Sequence, residues 1–166
     1  MKRLLALILI AIALLPQVAF AKPAVPSWRD HHPWSTEVAE VTIDGVTIQA
    51  EIADTSQLQT RGLGYRDGLD EGTGMLFDFG APSSRTFWMK GMRFCLDIIW
   101  IEDGQIVGAA ENACPEPNVS DENLTRYPSG QPITYVLEVT AGTMAANGWS
   151  AGSQVEIRFP DDPQTP

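Results

Sequence analysis

The sequence predicts a mostly β domain of the α+β class: a compact curved sheet or small β-barrel with two short peripheral helices. Three observations predict it. Apolar or alternating runs of five to eight residues recur between residues 38 and 159, bounded by Gly, Pro, Asn or Asp. Asp44-Gly45 sits between two such runs and is a strong two-residue hairpin signal. Only two stretches carry helix start and stop residues, and both are short. Many short strands with few helices bury their apolar faces most readily by curling the sheet.

The elements follow in order. Lys2-Arg3, an apolar core of twelve residues over 4–15, and Ala19-Phe20-Ala21 read as a secretory signal peptide (1–21) cleaved after Ala21. That core is short for a bilayer span, which needs about 20 residues. Residues 22–36 hold Pro23, Pro26 and Pro33 and read as an extended linker. It carries the only histidines, His31 and His32, so a serine or cysteine nucleophile has no histidine base in the domain. One domain then spans 37–159. Strands are expected over 38–44, 46–53, 75–79, 85–90, 94–101, 105–111, 133–139 and 154–159. Thr55 or Asp54 caps a helix ending at Gly62, and a second helix over 141–147 closes at Asn147-Gly148. Residues 81–84 read as an exposed turn. Residues 115–130 form a long loop, able to lie as a lid beside the charged residues described below. An acidic tail over 160–166 is expected to be disordered.

The net charge of −10 argues against nucleic acid and anionic membrane surfaces as partners. Removing Lys2 and Arg3 with the leader makes the remainder more acidic still. The leader implies a periplasmic location, no integral membrane segment after cleavage, and an oxidising compartment in which the two cysteines pair. Their positions agree with this. If 94–101 and 105–111 form a hairpin turning at Glu102-Asp103-Gly104, opposed residue numbers sum to about 207–209, which sets Cys95 against Cys114. A redox or metal-binding pair would favour a Cys-x-x-Cys spacing, which is absent.

Charged residues inside apolar strands mark the candidate site. Asp97 interrupts the run 94–101, and Glu138 sits in Tyr135-Val136-Leu137-Glu138-Val139. A carboxylate so placed is costly unless a cation or several donors meet it. Arg61, Arg66 and Lys90 are the obvious cations, and Trp88 stands two residues before Lys90 on the same strand face. Two readings remain open: satisfied ion pairs that fix strand register, or a pocket whose cations hold an acidic or polyhydroxylated ligand against Trp88. A third uses Asp97 and Glu138 as general acid and base of a hydrolase acting on envelope or saccharide substrates. A fourth uses Met89 and Met92, a Met-x-x-Met pair, as soft ligands for cuprous copper; the plainer role of methionine is core filling.

Arg61-Gly62-Leu63, Arg66, Gly74-Met75-Leu76-Phe77, Trp88-Met89-Lys90, Leu96-Asp97 and Val136-Leu137-Glu138 together resemble the motif series of the domain-of-unknown-function 192 family. The resemblance covers about residues 37 to 159 and implies a similar mostly β domain. It implies no reaction, because the family has none established. The sequence departs from the family pattern at Gly91, where asparagine is usual, and at Gly64, where methionine is usual. The expectation is an exported, monomeric accessory or small-ligand-binding domain without a cofactor. Its site comprises Arg61, Arg66, Trp88, Lys90, Asp97 and Glu138, and its partner is a small molecule or an envelope protein.

Overall fold

The computed structural model describes residues 37–160. The expected signal peptide, the Pro-rich linker with His31 and His32, and the tail beyond residue 160 lie outside the described residues. Strands β1 (Val38–Ile43) and β2 (Val46–Ala53) form the expected hairpin. Asp44 and Gly45 take φ of 46° and 87°, the left-handed pair a tight turn of this twist requires. Helix α1 (Ser56–Arg61) starts where the Thr55 hydroxyl accepts from the Leu58 N–H at 3.3 Å. It stops at Gly62, whose N–H donates to the Leu58 carbonyl. The helix carries the chain across to β3 (Thr73–Ser83), which lies parallel to β2.

After β3 the expected strand over 85–90 shrinks to β4 (Thr86–Phe87), because residues 88–92 turn instead. The Met92 N–H donates to the Met89 carbonyl, and Gly91 adopts φ of 70°. Residues 81–83, expected in a turn, extend the exposed end of β3 past a register shift at Asp78. Strands β5 (Leu96–Glu102) and β6 (Gln105–Ala113) make the second hairpin. Its register drifts through two bulges, from Glu102 opposite Gln105 to Leu96 opposite Ala113. Cys95 and Cys114 close its open end in a disulfide with Cα atoms 4.1 Å apart.

The long loop contains a 3-10 turn at Asp121–Asn123 and then β7 (Tyr127–Pro128), a strand with no signal in the sequence pattern. It pairs with β4 in a small separate sheet, so β4 does not pair with β5. Strand β8 (Ile133–Thr140), helix α2 (Thr143–Asn147) and strand β9 (Val155–Arg158) complete the domain. The main sheet has seven strands in the order β6-β5-β8-β3-β2-β1-β9. Its two edges meet at one end. Gln105 bridges Gln154, and the Val155 and Ile106 N–H groups donate to the Gly104 and Ser153 carbonyls. The result is a curled half-barrel, as the sequence predicts.

Strand alternation splits the core into two layers. One face packs Ile48, Leu76, Ile99, Leu137 and Val139 against Met144 and Trp149 of the α2 region. The other packs Ala53, Met75, Phe77, Ile98, Trp100 and Val136 against Leu58, Leu63, Phe87 and Met89. Helix α1, its following loop and the small sheet cover this second face.

Candidate functional site

The β5–β8 register decides which candidate residues meet. Asp97 opposes Val139, and Ile98 opposes Glu138. Side chains alternate along each strand, so Asp97 points to the α2 face and Glu138 to the α1 face. The shared carboxylate network expected from the sequence is therefore corrected: these two acids lie on opposite sides of the sheet. Asp97 is fully buried, and both of its oxygens are met by backbone amides. Its Oδ2 accepts from the Met144 N–H and its Oδ1 from the Asn112 N–H, both at 2.9 Å. The first is a free amide of α2, whose own cap position is Gly142 and offers no side chain. The second belongs to a bulged residue at φ of 53°. Asp97 thus fastens the start of α2 and the β6 bulge to β5, a role in the scaffold.

The α1 face carries the charged group. Glu51, Met75, Glu138 and Ile98 form one row across β2, β3, β8 and β5. Arg66 lies over this row, 1 % exposed, with Nη1 at 2.8 Å and Nη2 at 2.6 Å from the two oxygens of Glu51. This forked pair is an ionic bond of the kind anticipated for Arg66, but its partner is Glu51 of β2, which was not among the sequence candidates. Glu138 is 5 % exposed. Burial pushes its carboxyl up to about 8, with Arg66 pulling the other way, so at neutral pH it holds its proton.

A cleft of about 490 Å³ opens above Glu138, between α1 and β4. Arg61, Arg85 and Lys90 bring positive charge to its walls; Phe77, Phe79, Phe87, Trp88 and Met92 supply apolar surface. Arg85 was not a candidate in the sequence, where nothing distinguishes it from a solvated arginine. Its guanidinium lies 3.9 Å from the Phe79 ring centre, and its buried Nε has no hydrogen-bond partner. Trp88 is 42 % exposed at the rim, with Arg126 at 4.1 Å and Lys90 at 5.4 Å from its ring centre. Lys90 pairs at 2.6 Å with Asp121 of the long loop, and both are well exposed. Lys90 does not reach Asp97. Met89 is buried in the α1-face core while Met92 lines the cleft, so the Met-x-x-Met sulfurs are divided between core and cleft. No group of three or more His, Cys, Asp or Glu able to hold a metal occurs among the described residues.

The structure therefore gathers Arg61, Trp88, Lys90 and Glu138 at one cleft, sets Arg66 against Glu51 beside Glu138, and places Asp97 elsewhere. A family model described as DUF192, an uncharacterised conserved family, matches residues 39–157. The chain belongs to this family. Two solved structures are similar to it. One, from Sinorhizobium meliloti and described as "a putative transcription regulator", is 33 % identical, with a TM-score of 0.65; the match covers 76 % of this chain and 97 % of that one. The other, a protein of unknown function from Novosphingobium aromaticivorans, is 34 % identical, with a TM-score of 0.66; it covers 82 % and 94 % respectively. No curated protein matches the chain.

The two departures from the DUF192 pattern acquire a setting. At Gly91 the left-handed backbone is one that asparagine also tolerates, so the turn survives the exchange. The space a Cβ would enter is filled by the Tyr65 ring, 3.1 Å away. The Tyr65 N–H donates to the Gly91 carbonyl at 2.8 Å, tying the Arg61-to-Arg66 motif of DUF192 to its Trp88-Met89-Lys90 motif. Gly64 is buried beside the Arg61 carbonyl.

Proposed function

We propose that this DUF192 protein is an exported small-ligand-binding domain of the cell envelope, and that its site is the cleft between α1 and β4. One observation carries the reading: three cationic side chains and an aromatic wall converge over a buried carboxyl in a recess of ligand size. Export is supported by the basic, apolar and small-residue order of residues 2–21, and a disulfide fits an oxidising compartment. No helix among the described residues is long and apolar enough to cross a membrane.

The hydrolase that uses Asp97 with Glu138 loses support, because acids on opposite faces of one sheet cannot flank one bond. The regulatory description of the S. meliloti protein does not guide the reading. The two α-helices among the described residues span six and five residues, and the chain is strongly acidic.

A thermal-shift screen against sugars, organic acids, cell-wall fragments and metals tests the proposal. A saturable rise in Tm for one class, with quenching of Trp88 fluorescence that disappears in Trp88→Phe, is the expected result. A flat response across all classes would remove it.

A further inference from the structure

We infer that the cleft selects a small monocarboxylic acid carried on a ring, with Arg85 receiving the carboxylate and Glu138 donating a hydrogen bond from the cleft floor. This rests on the binding role proposed above and narrows it to one chemical class.

Arg85 is the leading observation. Its guanidinium carbon lies 3.9 Å from the Phe79 ring centre, a cation–π contact that restrains the side chain before any ligand arrives. Its buried Nε lacks an acceptor, although the side chain faces a recess. That Nε is closed to solvent, so an incoming carboxylate meets the rest of the guanidinium and offsets its charge. The planar fork of an arginine matches a carboxylate in two parallel hydrogen bonds. Arg61 lines the same cleft, as does Lys90, whose charge is shared with Asp121 at the rim.

The other walls set the rest of the ligand. Phe77, Phe79, Phe87, Trp88 and Met92 present flat apolar surface, which suits one face of a ring. Glu138 completes the floor. Its row neighbours Met75 and Ile98 are apolar, and the charged groups around it are Arg66 with its partner Glu51, then Arg61, Arg85 and Lys90 at the cleft, Lys90 with its partner Asp121. Burial keeps Glu138 protonated at neutral pH, which makes it a donor to an acid's oxygen instead of a repelling charge. Above its titration point it would repel the same ligand. A single negative charge also suits a molecule of net charge −10, which repels multiply charged anions more strongly.

Calorimetric titration of the purified protein tests this with two ring acids, benzoate and glucuronate, and their neutral counterparts benzamide and glucose. Benzylamine and phenyl phosphate complete the set. At pH 7 at least one acid should bind tenfold or more tightly than its neutral counterpart. Which acid binds tells whether the ring is aromatic or hydroxylated. Arg85→Gln should weaken that acid about tenfold, and Arg85→Lys should restore only part of the loss. Affinity should fall about tenfold between pH 7 and 9.5, and Glu138→Gln should abolish that fall. Equal binding of neutral or cationic compounds, tighter binding of phenyl phosphate, or an acid whose affinity ignores Arg85 would each overturn the inference while leaving a binding cleft. Silence from all six compounds, with a positive result in the wider screen, overturns the inference alone. Silence in both overturns the binding role as well.

Discussion

Asp97 and Glu138 look alike in the sequence, each an acid inside an apolar strand, yet they are stabilised by opposite means. Asp97 meets two backbone amides, and hydrogen bonds to a charged group are worth about 1.5–3 kcal/mol each. Asp97→Asn should therefore cost about 2 kcal/mol in urea unfolding, since the new NH2 opposes one of those amides, and should leave cleft binding unchanged. Glu138 has no comparable donors and stays neutral by burial. Its raised value means the folded state keeps a proton that the unfolded chain releases from its ordinary value of 4.5 upward. The Glu138 contribution to stability should be fully present below pH 4.5 and should decline until about pH 8, by an amount on the order of a few kcal/mol. Glu138→Gln should flatten this decline in urea midpoints measured across the range. Lys90→Met should leave the urea midpoint unchanged, because its pair with Asp121 is exposed; a large loss would mean the pair is held far more tightly than its exposure implies. That both acids needed partners was readable from their apolar settings. The partners were not, because backbone amides leave no mark in a sequence, and one residue of register between β5 and β8 separates the two faces.

At the scale of elements, local pairing was legible and distant pairing was not. The Asp44-Gly45 and Asp103-Gly104 hairpins follow from turn chemistry, and the second placed Cys95 against Cys114. Its bulges explain why opposed residues drift away from the turn while the cysteines still meet. Replacing both cysteines by serine should lower stability by about 3 kcal/mol in chemical unfolding, mainly by freeing the unfolded chain. The small sheet was invisible in advance. Strand β7 is two residues ending in proline, a residue tolerated only at sheet edges, and its partner β4 is separated from it by the entire β5–β6 hairpin. Through this pairing the long loop becomes a strap, fastened by Arg126 on Trp88 and Asp121 on Lys90 at the cleft rim. Asp121→Ala with Arg126→Ala should free it. Hydrogen exchange of residues 116–126 should then accelerate, with the main sheet unaffected.

For the whole molecule, the opposition between an acidic chain and a cationic recess has a kinetic signature. Long-range repulsion slows the approach of an anion, and salt screens that repulsion beyond about 10 Å at 0.1 M. Association of a ring acid should therefore quicken as ionic strength rises, even as its direct contacts weaken, a divergence that stopped-flow Trp88 fluorescence can resolve. The antiparallel pairing of β1 with β9 has a different consequence. Glu40 opposes Arg158, which sets the neighbourhood of Val38 beside Pro160. The two ends of the folded unit are thus close enough for a few glycines to join them. Such a ring, reopened at the exposed Pro117-Asn118 bond, keeps every strand of the main sheet intact. A permuted chain of that kind should refold to the same circular dichroism spectrum, and a fluorescent reporter inserted at its new ends would sit on the strap at the mouth of the recess.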